Sequence, residues 1–209
     1  MLITYELRWF YPGSVPEDIK LWFEQNCLAN SQQQAEERSD VYLFSPECDF
    51  LGIKLRQGRL EVKWRTKELG VVSFSEFVEG KVEKWGKWLC CDSTEESFQP
   101  SQVLGNPTWI KVDKIRSSQL YQVLPNSLPQ PVSADEDIKN GCSVELTNLM
   151  IRENHWWSLA FEARGEDDRL MDNLLTTTKL VFNNYCGFKL LALNSYAYPT
   201  WLTRLEINF

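Results

Sequence analysis

The sequence predicts an α+β protein in which an antiparallel β-barrel with a charged inner wall is flanked by helices. Three observations carry this. Several segments alternate apolar and polar residues at period two, the pattern of strands with one buried face. In those segments the polar phase is charged: Glu6 and Arg8; Lys54 and Arg56; Lys63 and Arg65; Lys114 and Arg116; Glu145; Glu162. Two further segments carry apolar residues at helical spacing and supply layers for the strands' apolar faces. Charged faces that converge while apolar faces point outward describe a barrel with a polar lumen, the reverse of a small packed barrel.

Taken in order, Ile3-Thr4-Tyr5-Glu6-Leu7-Arg8-Trp9-Phe10 reads as a first strand with Thr4, Glu6 and Arg8 on one face. Pro12-Gly13 turns the chain, and Ser14-x-x-Glu17 has the form of a capping box leading into Ile19, Trp22 and Phe23, which predicts a helix over residues 14–28. Val41 to Phe44 reads as a strand and Ser45-Pro46-Glu47 as a turn. Residues 52–56 and 60–65 then form a hairpin around Gln57-Gly58-Arg59. Its apolar phase is Ile53, Leu55, Leu60, Val62 and Trp64; its charged phase places four cations on one wall. Residues 71–89 predict two or three short strands broken at Glu79-Gly80 and Gly86, and residues 92–107 a loop. A strand follows at 109–116, then an exposed Pro- and Ser-rich loop at 124–141. Residues 143–147 and 156–163 are strands, 167–184 a helix with acids in its first turn, and 188–209 one more strand and a closing segment.

At 209 residues without a compositional break, the expectation is one domain spanning 1–209. A hydrophobic share of 43% and nine tryptophans exclude wholesale disorder. No apolar run is long enough to span a bilayer and the N-terminus lacks the form of a signal peptide, so a cytoplasmic location without membrane contact is expected. Six scattered cysteines with no C-x-x-C pair predict reduced, structural thiols rather than a zinc site or a disulfide framework. The net charge of -7 excludes the broad basic field that tracks extended nucleic acid, so any anion site is local and enclosed.

Seven bases against three acids in the strand phases leave a surplus of four positive charges on one wall. Such a wall needs either solvent or an anionic ligand, and both readings are open from the residues alone. The pattern Tyr42-Leu43-x-x-Pro46-x-x-Asp49-x-Leu51-Gly52-Ile53-Lys54-Leu55-Arg56, with Leu60-Glu61-Val62-Lys63-Trp64-Arg65 after it, resembles the CYTH or triphosphate tunnel superfamily. That group contains class IV adenylate cyclases, thiamine triphosphatases, inorganic tripolyphosphatases and fungal-type RNA triphosphatases. The resemblance implies an eight-stranded antiparallel tunnel. It implies that Arg8, Lys54, Arg56, Lys63, Arg65, Lys114 and Arg116 contact phosphate oxygens, as guanidinium forks and ammonium groups are suited to do. It further implies that Glu6, Glu145 and Glu162 hold Mg2+ or Mn2+, with Glu6 and Glu162 catalytic.

Two positions depart from the pattern. The superfamily's opening Glu-x-Glu-x-Lys reads Thr4-x-Glu6-x-Arg8, and a late acidic pair is reduced to Ala160-x-Glu162. Glu145 and Glu162 therefore read equally as metal ligands and as counter-ions of the interior bases. His155 is the single histidine and sits beside Trp156-Trp157 in a packing context, which argues against a Ser-His-Asp triad. Adjacent Cys90-Cys91 face opposite ways on a strand, and Lys84-Trp85-Gly86-Lys87-Trp88 resembles a single-strand nucleic-acid surface but suits packing better. The expected function is binding of a small triphosphate or polyphosphate with metal-dependent phosphoanhydride hydrolysis. The alternative is a non-catalytic phosphate-ligand-binding or adaptor protein of the same fold. Nucleotide cyclisation ranks last, since no purine pocket is identifiable.

Overall fold

The computed structural model describes residues 1–28, 34–91, 94, 97–166 and 168–205. Nine strands lie among the described residues: β1 (Leu2–Pro12), β2 (Glu36–Leu43), β3 (Leu51–Arg56), β4 (Arg59–Ser75), β5 (Val78–Cys91), β6 (Trp109–Gln122), β7 (Gln130–Val132), β8 (Gly141–Ile151) and β9 (Asn154–Arg164). Eight of them close an antiparallel barrel in the order β2-β3-β4-β5-β1-β9-β8-β6, sealed by pairing of β2 with β6, and β7 adds only to β6. Among the described residues three helices flank it: α1 (Glu17–Asn26), α2 (Leu170–Val181) and α3 (Tyr198–Arg204). No helix among the described residues is long and apolar enough to cross a membrane.

The alternation of β1 shows how sequence sets this architecture. Leu7, Trp9 and Tyr11 point outward into a core with Ile19 and Phe23 of α1, Leu174 and Val181 of α2, and Phe161 of β9. The opposite phase, Thr4, Glu6 and Arg8, points into the barrel. One residue further along that phase, Phe10 joins a second apolar cluster with Tyr42, Val112, Leu149 and Trp201, which fills one end of the lumen. There α3 enters the barrel: the Trp201 ring stacks on Phe10 at 4.9 Å, and Pro199 lies where a Cβ on Gly52 would meet it at 3.2 Å. The barrel thus has an apolar plug at one end and a charged middle.

Several elements differ from the sequence expectation for identifiable reasons. Helix α1 begins at Glu17 with Pro16 at its N-cap and no side-chain cap, because a proline disfavours helical geometry at Val15 and so excludes the Ser14 capping box. Strand β2 starts five residues earlier than Val41. Instead of short strands over 71–89, β4 and β5 form one long hairpin with register shifts between Arg65 and Lys67, Glu68 and Gly70, and Ser73 and Ser75. Glu79-Gly80 and Gly86 lie within β5 and break nothing. The strands expected at 109–116, 143–147 and 156–163 are all longer, and the 124–141 loop contains β7. Among the described residues past 188 there is no further strand; isolated bridges at Leu190 and Ser195, a 3-10 turn at Ala192–Asn194 and α3 stand in its place. The expected helix start at Asp167, loop positions 92, 93, 95 and 96, and the last residues, 206–209, lie outside the described residues. Gln57 and Gly58 both have positive φ, which makes the β3-β4 connection the two-residue hairpin turn that matches strand twist.

Gly80 is a close-packing glycine. A Cβ there would lie 2.5 Å from Leu7 Cδ1 and 2.6 Å from Trp9 Cζ2, and both neighbours are fully buried. Trp9 is further fixed by its indole N–H, which donates to the Glu79 carbonyl at 2.8 Å. Gly80→Ala is expected to destabilise by about 1–3 kcal/mol through overpacking, read as a lower midpoint in urea. An unchanged midpoint would show that the β1-β5 seam has slack.

Candidate functional site

The lumen between plug and mouth is a cavity of about 180 Å³. Each barrel strand contributes to it through the inward phase of its pleat: Glu6 and Arg8 from β1, Arg38 and Tyr42 from β2, Lys54 and Arg56 from β3, Glu61 and Lys63 from β4, Trp85 and Lys87 from β5, Lys114 and Arg116 from β6, Glu145 and Thr147 from β8, and Glu162 from β9. Tyr198 of α3 completes the wall. Of the expected phosphate contacts, the structure brings Arg8, Lys54, Arg56, Lys63, Lys114 and Arg116 together.

Arg65 is not part of this wall. The β4 register shifts immediately after it, and its guanidinium bonds Asp49 at 3.1 Å, Glu68 at 3.2 Å and Glu83 at 3.0 Å. Glu83 also accepts the Trp85 indole N–H at 3.1 Å. Arg65 therefore ties the β4-β5 hairpin to the Ser45–Phe50 connection.

Sequence reasoning misses Asp40, Arg38, Glu61, Lys87 and Tyr198. Asp40 is fully buried behind the wall and receives Arg56 Nε at 2.6 Å and Nη2 at 3.0 Å, Lys114 Nζ at 2.8 Å and Lys54 Nζ at 3.9 Å. Glu61 accepts Lys54 at 2.9 Å, Lys87 at 3.3 Å and Arg56 at 3.5 Å. Glu145 takes Arg116 at 2.7 Å on one oxygen and Arg8 at 3.4 Å on the other. Among the described residues the cavity lining together with Asp40 holds eight bases, Arg8, Arg38, Lys54, Arg56, Lys63, Lys87, Lys114 and Arg116, against five acids, Glu6, Asp40, Glu61, Glu145 and Glu162, and the half-exposed Glu36, which accepts Arg116 at 2.6 Å and Arg38 at 3.0 Å, brings the formal surplus to two.

These charges perturb one another strongly. Burial by itself would raise every carboxyl, yet Lys114, Lys54 and Arg56 hold Asp40 far below the carboxylate range. Lys54 and Arg56 likewise bring Glu61 down to about 2, and Arg8 and Arg116 bring Glu145 down to about 2. For two lysines burial wins: Lys54 and Lys114 are each pulled down to about 7, with Asp40 opposing and neighbouring bases assisting. Lys63 goes the other way, since Glu162 and Glu6 overcome its burial. Lys114 also donates to Tyr42 Oη at 2.6 Å and lies 4.0 Å from the Tyr198 ring centre, a cation-π contact that fixes the plug against the charged wall.

The oxygen donors expected for Mg2+ or Mn2+ are of the right chemical type, but Glu6, Glu145 and Glu162 do not gather as a ligand set. Both Glu145 oxygens are engaged by arginines. Arg8 reaches that carboxylate across Ala160, its register partner on β9, whose methyl leaves the space open. Glu6 is bonded by Lys63 and by the Thr4 hydroxyl, the latter at 2.7 Å. Among the described residues no three His, Cys, Asp or Glu side chains form a group that could hold a metal ion. As arranged, these residues do not fit a resident divalent cation.

No chemistry gathers elsewhere on the sequence's other candidates. His155 lies on the exposed rim of β9, outside the lumen. Cys27 and Cys142 are buried thiols, and burial pushes Cys27 up to about 12, which leaves it inert. Trp85 is fully buried inside the barrel, so Lys84 to Trp88 is not a continuous aromatic-basic surface.

No family model matches the chain, and no curated protein matches it. Among solved structures it is similar to a protein of Pyrococcus horikoshii, 12% identical with a TM-score of 0.41 over 86% of this chain and 89% of that one. It is also similar to a conserved hypothetical protein of Pyrococcus furiosus, 12% identical with a TM-score of 0.42 over 94% and 98%. Likenesses of that strength carry no argument about family or activity.

Proposed function

We propose that this protein binds a small phosphate-rich anion, a triphosphate or short polyphosphate, inside the barrel, and that it does so without a resident metal. The observation that carries this is the formal surplus of bases over acids around the barrel cavity, made up of desolvated arginines and lysines. Cations packed against cations in low dielectric are costly unless an anion joins them, and a phosphate chain supplies several charges and many acceptor oxygens at once. The resemblance to the triphosphate tunnel group points the same way, through the Gly52 to Arg65 hairpin. Because the cations face inward, an extended duplex has no access to them, whereas a chain end or a free anion does.

Between a hydrolase and a binding protein, the geometry supports the binding protein better. Metal-assisted phosphoanhydride cleavage needs carboxylates free to coordinate, and Glu6, Glu145 and Glu162 are spent on Lys63, Arg8 and Arg116. Calorimetric titration of tripolyphosphate is expected to give saturable binding of equal affinity in magnesium and in chelator, with no phosphate released over hours. Metal-dependent release of phosphate would establish the hydrolase reading instead, and absence of binding at two temperatures would remove the lumen as an anion site.

A further inference from the structure

Glu6 and Glu162 are direct register partners on adjacent strands, both facing the lumen. Two carboxylates in that relation repel and need a cation between them. Lys63 supplies it from two strands away: β5 stands between β4 and β1, and the Lys63 side chain extends past it to bond Glu6 Oε1 and to reach Glu162 Oε2 at 3.4 Å. The Glu162 and Lys63 side chains are each about a quarter exposed, at 28% and 26%, and all three residues line the cavity. Around them stand Thr4, whose hydroxyl donates to Glu6; Ser143, opposite Glu162; Ala160; and the cations Arg8 and Lys87, which also act on Glu162.

We infer that Lys63 is a built-in replacement for a divalent cation, its ammonium bridging Glu6 and Glu162 where a hard metal ion would otherwise be bound. The charge count explains why one ammonium suffices. With a hydroxyl at Thr4 and a methyl at Ala160, the β1-β9 seam presents two carboxylates. Lys63 takes up both of them while Lys87 and Arg8 add field. Glu83, the register partner of Glu6 on the other side, on β5, is taken up by its own base, Arg65, at 3.0 Å and adds no uncompensated charge, whereas a further carboxylate without such a partner would leave the seam in deficit and call for a doubly charged ion. An ammonium also donates hydrogen bonds to both carboxylates without requiring the octahedral oxygen shell that magnesium demands. A tethered cation makes the seam permanently closed to metals and the lumen's charge independent of metal supply.

The proposal rests on the same cavity as the anion-binding reading but is tested with Mn2+ alone, so its failure is distinguishable from a failure of anion binding. Free Mn2+ is followed by its electron paramagnetic resonance signal during titration of protein without phosphate. The parent is expected to take up no Mn2+ in the micromolar range. Lys63→Met, which keeps the side-chain length and removes the charge, is expected to bind one Mn2+ at least about tenfold more tightly than the parent, because two facing carboxylates are then free to coordinate. Adding Glu6→Gln to that variant should return it to the parental level. A parent that binds Mn2+ through Glu162, shown by loss of binding in Glu162→Gln, overturns the proposal. A folded Lys63→Met that gains no Mn2+ overturns it too. If Lys63→Met does not fold, the parent titration decides by itself, with no uptake supporting the proposal and Glu162-dependent uptake refuting it.

Discussion

Asp40→Asn is expected to lose about 3 kcal/mol or more of folding stability and, at the same time, to bind tripolyphosphate more tightly than the parent. The two effects have one cause. Asp40 is the fully buried carboxylate on which Arg56, Lys114 and Lys54 converge, so it neutralises the inner side of the basic wall. Removing its charge while keeping its shape leaves three desolvated cations without their shared counter-ion, which is the expensive way to break a buried ion network. The same change makes the lumen more positive, by less than one full charge because Lys54 and Lys114 shed protons in response, and leaves an incoming anion more to neutralise. Opposite signs on stability and binding distinguish this from general damage, which lowers both. The acid side of the stability curve gives a second readout. Since Asp40 titrates far below its unfolded value of about 3.9, its contribution is complete above that value and is lost as pH falls toward the folded one. The stability difference between parent and variant should therefore begin to shrink below about pH 5 and keep shrinking throughout the accessible acid range. Urea midpoints for the two that differ by under about 1 kcal/mol at pH 7 would mean that Asp40 does not hold the wall together.

The barrel is legible in the sequence wherever one phase of a strand is apolar. In β1, β3 and β9, and in the first half of β8, the outward residues are large and hydrophobic, so Arg8, Lys54, Arg56, Glu145 and Glu162 fall on the inward phase by alternation alone, whereas in β6 Lys114 and Arg116 share the inward phase with the buried Ile110 and Val112 and the outward phase is the polar Lys111 and Asp113. Glu61 carries the same signal, in phase with Lys63 and opposite Leu60 and Val62, and it changes the picture from a bare cationic wall to a compensated one. The start of β2 carries no such signal. Glu36 to Asp40 is polar in both phases, so period-two reasoning cannot say that it is a strand, and Arg38 and Asp40 vanish into an apparent loop. In β5 the difficulty is reversed, since tryptophan occupies both phases at 85 and 88 and hides the inward direction of Lys87. Glycine at 80 and 86 reads as a break in a linear pattern, whereas its role is to admit the rings of Trp9 and Trp64 from neighbouring strands. That is long-range information. Tyr198 likewise becomes part of the wall only because α3 folds back into the barrel end, which no local pattern encodes.

Tripolyphosphate affinity is expected to fall steeply as pH rises above 7, by about tenfold per pH unit for each buried lysine that must regain its proton on binding. Two lysines qualify, since burial draws Lys54 and Lys114 down to about 7, so the limiting loss is about a hundredfold per unit. The physical reason is that an empty lumen relieves its cation surplus by shedding protons, and an arriving phosphate chain reverses that. Folding stability of the empty protein must move with the opposite sign. A lysine with a depressed folded pKa holds fewer protons folded than unfolded between about pH 7 and its unfolded value near 10.4, so stability from these two groups rises with pH across that interval. Anion binding thus weakens over the range in which the unliganded barrel becomes more secure. Calorimetry at constant ionic strength from pH 7 to 9, in buffers of different ionisation enthalpy, reads both the affinity and the protons taken up. Titration of the ligand itself is separated by Lys54→Arg, because a guanidinium keeps its proton throughout and should reduce the slope by one factor of ten per unit. Lys114 is too enclosed for that replacement, with 2% of its side chain exposed, so the remaining slope in the variant belongs to it and to the ligand. An affinity independent of pH, or a Lys54→Arg slope equal to the parent's, would mean that the wall is fully charged before the anion arrives and that its cations are stabilised by Asp40, Glu61 and Glu145 alone.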